Sequence, residues 1–96
     1  MIKTLGVPPL AGGRPRAGAL RGTLPQDLTD VQVVVDCRDL QVSTESFADE
    51  LVIKILRDGQ AAGMSVINVD SVNATWFDAS AAEWGVADRI KVDRRG

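Results

Sequence analysis

The sequence predicts a small α/β domain whose mostly parallel or mixed β-sheet carries its helices mainly on one face. The runs VQVVVD (Val31 to Asp36) and MSVINV (Met64 to Val69) are β-branched and nearly continuous in apolar residues, as strands buried on both faces of a parallel sheet are. The segment between them has helical length and periodicity, which a parallel crossover requires. A chain of 96 residues, 45% hydrophobic and 25% charged, suffices for one small core.

In chain order, Ile2 to Val7 is a candidate first strand within residues 1–13, which read as a flexible lead or an edge strand. A single domain is expected over residues 14–96. In RPRAGALRGTL, Ala17, Leu20 and Leu24 share one face, which predicts a helix from about Arg14 to Leu24, with Pro15 tolerated in the first turn. After the strand Val31 to Asp36 comes the strongest helix signal. In STESFADELVIKILRDG, the residues Phe47, Ala48, Leu51, Val52, Ile55 and Leu56 recur every three or four positions and form one stripe. Ser43 or Thr44 caps its start, Glu45, Asp49 and Glu50 suit the positive end of the dipole, and Gly59 or Gly63 ends it. Beyond the strand Met64 to Val69, NATWFDASAAEWG predicts a helix capped by Asn73, with Trp76 or Phe77, Ala81 and Trp84 inward and Gly85 as its stop. Arg89 to Val92 is a final strand. The loops after Asp36 and Val69 therefore meet at the carboxyl edge of the sheet, where α/β proteins place their sites.

Composition narrows the chemistry. With no histidine and a single cysteine, Cys37, there is no Ser-His-Asp or Cys-His machinery, no histidine-bearing zinc site and no internal disulfide. Such cysteine usage suits a reducing cytoplasm. A formal net charge of -2 argues against capture of nucleic acid or of an anionic membrane. The opening residues lack the long apolar region of a signal peptide, and no segment approaches about 20 continuous apolar residues, so no membrane span is expected. Arg14, Arg16 and Arg21 near the start and Arg89, Lys91, Arg94 and Arg95 at the end flank an acidic middle of Asp36, Asp39, Glu45, Asp49 and Glu50.

Ser43, Thr44 and Ser46 lie at the start of the central helix, where unpaired N–H groups and the dipole favour a phosphate. One of the three also serves as the N-cap. Asp36, Asp39 and Asp70 offer a second reading, a small ligand-binding or Mg²⁺-dependent phosphoryl-transfer domain, although no Gly-rich phosphate loop accompanies them. Cys37 reads as a small core hydrophobe, since no histidine is there to activate it. Trp76, Phe77 and Trp84 divide between core packing and a partner-binding patch.

From Val31 to Val92 the chain resembles a STAS domain, the module of bacterial anti-sigma-factor antagonists, and most closely the divergent STAS-like branch. The resemblance is carried by VVVDCRDLQVSTESFADEL, a buried strand ending in aspartate, a short loop and a hydroxyl-opened helix, and by EWGVADRIKV, a helix closing on glycine before the last strand. GRPRAGALRGTL is similar to the first helix of that branch. The resemblance implies a non-enzymatic protein-interaction domain of a bacterium or phage that needs no cofactor. Its partner would be an anti-sigma factor or a histidine-kinase-like ATPase that phosphorylates a serine opening the central helix. Ser46 matches that serine, while Thr44 stands where the family's aspartate would be, Glu45 at the preceding serine and Phe47 at the glycine. The implied partner surface is Asp39, Ser43, Thr44, Glu45, Ser46, Asp49 and Glu50.

Overall fold

The computed structural model describes residues 1–95; Gly96, the last residue of the expected domain, lies outside them. Strands β1 (Ile2–Gly6), β3 (Gln32–Asp36), β5 (Gly63–Val69) and β6 (Ile90–Arg94) form one sheet in the order β1-β3-β5-β6, every pair parallel. Two-residue strands β2 (Leu10–Ala11) and β4 (Val42–Ser43) pair separately, also in parallel. Helices α1 (Gly13–Arg21), α2 (Glu45–Val52) and α3 (Ser71–Glu83) lie side by side, α2 touching both others. The strand order advances one place per crossover, so crossovers of one hand put all three helices on the same face.

Register explains what is buried. Leu5, Val35, Val66 and Val92 align across the sheet, as do Val33, Met64 and Ile90, and these rows face the helices. The alternate row, Thr4, Val34, Ser65 and Lys91, points away and carries no helix. Thus VQVVVD is covered on one face only, and polar Gln32 and Asp36 on the open face let water take the place of a second helix layer.

Ile2–Gly6 is an edge strand rather than a loose lead, and Leu5, Val7 and Ala11 belong to the common core. Helix α1 stops at Arg21, short of Leu24. Gly22 and Pro25 do not sustain it, and the Arg21 guanidinium instead donates to the carbonyls of Pro25, Gln26 and Lys54. Thr44 caps α2, which continues beyond Val52 as a π-helical turn, Ile53–Asp58, ending at Gly59. There the Gly59 N–H donates to the Lys54 carbonyl five residues back at 3.0 Å. Arg89 supplies donors to the carbonyls of Leu56 and Ala61, so the buried end of this helix is not left unsatisfied.

The cap of α3 differs from the expected one. Asp70 is the N-cap, its carboxylate accepting the Asn73 N–H at 2.9 Å, and Asn73 is a buried residue of the first turn. Phe77 and Ala81 are the inward residues, and Trp76 and Trp84 are only partly buried against the core. No helix among the described residues is long and apolar enough to cross a membrane.

Candidate functional site at the carboxyl edge of the sheet

The carboxyl ends of β3 and β5 are joined by an irregularity. Between Val66 and Val69 the register of β5 shifts, and Asn68 adopts a left-handed backbone with φ 56°. The slip brings the Asn68 amide to Asp36, donating to Oδ1 at 3.1 Å. Asp36 also accepts from the Arg38 backbone N–H at 3.0 Å and its guanidinium at 3.1 Å. The Asn68 bond first, then the Arg38 amide, hold the Asp36 carboxyl below its ordinary range.

Asp70 is similarly engaged. Besides the Asn73 N–H it accepts from the Asn73 Nδ2 at 2.8 Å, and the Arg95 guanidinium lies 3.9 Å away. The Asn73 backbone donor is the chief reason its carboxyl sits low. Asp39 is exposed on the loop, with no side-chain partner among the described residues. Asp36, Asp39 and Asp70 do not converge: no group of three or more metal-ligating side chains occurs among the described residues. Two of the three carboxylates instead close a turn and cap a helix.

The three hydroxyls separate by their bonds. Thr44 Oγ1 accepts the Gly13 N–H at 2.8 Å and the Phe47 N–H at 3.3 Å, so one hydroxyl caps α2 and pins the start of α1, where Gly13 has φ 82°. With both lone pairs engaged, its proton goes to Ser46 Oγ, 3.1 Å away. Ser46, partly exposed, keeps its own O–H free. Ser43 sits in β4 and makes one long contact, 3.5 Å, to the Thr44 carbonyl.

Asp49 is turned towards the neighbouring helices, its side chain 16% exposed. It accepts from Ser80 Oγ and Trp84 Nε1, both at 2.8 Å, and pairs with Arg14 at 2.8 Å, so one carboxylate joins all three helices. Burial alone would raise its carboxyl, but the bonds from Trp84, Ser80 and Arg14 outweigh burial and hold it low. Glu50 holds the other side of Arg14 at 3.0 Å. Cys37 is 1% exposed; burial, reinforced by the charges of Asp36 and Asp70, pushes its thiol up to about 12, which makes it a core residue and not a nucleophile.

Two hollows open beside these groups. A cleft of about 870 Å³ lies between the loop from Arg38 to Ser43 and the start of α3, and a smaller hollow of about 280 Å³ lies between the first turns of α1 and α2 and the outer face of α3. Trp76 lines both. Ser43 and Asp39 line the cleft, and Glu45, Ser46 and Asp49 the hollow, while Thr44 and Glu50, also expected to meet a partner, line neither. Asn73, expected as a cap, and Arg14, one of the basic residues near the start, also belong to this region, and Asn68 and Glu83 complete it without having been singled out in the sequence. Of the last two, Asn68 left a mark there, a polar interruption near the end of a β-branched run. Compared with family models, curated proteins and solved structures, the chain matches none.

Proposed function

We propose that this chain is a non-enzymatic, cytoplasmic interaction domain of STAS type, a partner-switching regulator that docks a protein on the edge from Asp39 to Glu50. Ser46 is the hydroxyl that switches it. The observation carrying this reading is the hydrogen-bond inventory at the start of α2. Thr44 is spent on two backbone amides, whereas Ser46 keeps a free hydroxyl at the rim of a hollow. A phosphate on Ser46 would fill that hollow beside Glu45, Asp49 and Glu83, where the cation Arg14 already serves Asp49 and Glu50. By occupying the hollow, the phosphate would displace the side chain that a docked partner seats there.

The partner is an anti-sigma factor or a histidine-kinase-like ATPase, as the resemblance to STAS domains suggests. Incubation with such an ATPase, ATP and Mg²⁺ is expected to add the mass of one phosphate to the intact protein. Ser46→Ala should abolish the gain, and Ser43→Ala should not. A phosphate that maps to Thr44 or Ser43, or no phosphate at all together with unchanged partner binding by Ser46→Asp, would remove the switch.

A further inference from the structure

We infer that the docking edge is built for a basic protein segment, with an arginine or lysine seated on Trp76 between Glu45 and Glu83 and an aliphatic side chain beside Val42 and Val72. This rests on the docking reading above and adds the chemistry of the partner. Because Trp76 is a wall of both hollows, a segment filling the cleft passes directly into the acidic hollow.

The unpaired charges lining the two hollows are all negative among the described residues. In the hollow, Arg14 is consumed by Asp49 and Glu50, while Glu45 and Glu83 are exposed and form no ion pair among the described residues. In the cleft, Arg38 is paired with Asp36 and Arg95 leans on Asp70, which leaves Asp39 free. Unpaired carboxylates call for donors and positive charge, and they oppose an acidic or nucleic-acid partner.

The cleft also exposes apolar side chains among its polar ones. Val42 and Val72 are each 60% exposed. Of the two tryptophans, Trp84 already carries the Arg57 guanidinium 4.7 Å from its ring and donates to Asp49. Trp76 makes neither contact among the described residues, so its ring is the one open to a cation.

Two tryptophans give two indole N–H signals in a nitrogen–proton spectrum, one in the hollow and one locked on Asp49. The probes are three pools of synthetic peptides of equal length, pairing leucine with arginine, with glutamate or with serine. The arginine pool alone should shift the Trp76 indole and leave that of Trp84 in place. Its binding should weaken roughly tenfold in a Glu45→Gln, Glu83→Gln variant, as expected for loss of two rim charges, and should weaken again in high salt. Both glutamates are exposed, and an unaltered circular dichroism spectrum checks that the variant folds. Equal shifts from the glutamate or serine pool, arginine binding that survives in the variant, silence from all three pools, or a shift that appears on concentrating the protein alone would each overturn the inference. Phosphorylation of Ser46 without arginine-pool binding would defeat this inference and leave the switch standing; the reverse result would defeat the switch.

Discussion

Thr44 and Ser46 are two residues apart and chemically alike, yet their bonds give them different work. Thr44→Val keeps the shape but removes the acceptor for both the Phe47 and Gly13 amides, and should cost about 2 kcal/mol, one cap plus one further hydrogen bond. Ser46→Ala removes only an acceptor for the Thr44 hydroxyl and should change stability by less than about 0.5 kcal/mol. Urea midpoints for the two variants measure this directly, and comparable losses would mean that Ser46 is structural. Cys37 offers a second check at this scale. Buried to 1% exposure and with its thiol pushed up to about 12, it should resist a disulfide-exchange reagent near pH 8 and react fully once urea unfolds the chain. Fast labelling of the native protein would contradict the packing described around β3.

At the scale of elements, α2 is the hub, and its amphipathic stripe was fully legible: Phe47, Ala48, Leu51, Val52, Ile55 and Leu56 are all buried. Its polar side was less so. Asp49 reads in sequence as a dipole residue available to a partner, but its carboxylate is turned onto Ser80 and Trp84, contacts 31 and 35 residues away that no local pattern encodes. Likewise the cap of α3 moved from Asn73 to Asp70 because either residue type caps a helix, and only the path of β5 decides which one leaves the strand last. Asp49→Ala strands two donors and should cost about 1–3 kcal/mol. The carboxyls of Asp36, Asp49 and Asp70 all lie lower in the fold than when unfolded. Their contribution is therefore fully present above the unfolded value of about 3.9 and is lost as pH falls through the folded values. Urea midpoints should stay flat near neutrality and drop below about pH 4. In Asp49→Asn that drop should be shallower, and an identical acid profile would mean that the Asp49 bonds contribute nothing.

For the whole molecule, the decisive property is that a four-stranded, all-parallel sheet keeps one face open. The helices cover only the rows of Leu5 and Val33, so residues such as Thr4, Ser65 and Lys91 meet water, and the valines of VQVVVD split between the two faces. The sequence run looked uniformly buried because β-branched residues favour strands on either face. With a single layer of helices, the domain cannot spare its edge. β1 pairs with β3 along all five of its residues, and Leu5 and Val7, 4% and 3% exposed, complete the core beneath α1. Removing residues 1–7 deletes those two side chains, at about 1.5–3 kcal/mol each, from a fold whose total stability is expected to be about 5–15 kcal/mol. It also bares the outer edge of β3, an apolar strand able to pair with another chain. The truncated protein should therefore lose its cooperative urea transition or sediment as oligomers, whereas a chain lacking only Met1, which gives up the single bond from the Gln32 N–H to the Met1 carbonyl, should remain a cooperative monomer. A truncated monomer that unfolds within about 1 kcal/mol of the full chain would make β1 an accessory strand, and would return the domain boundary to residue 14.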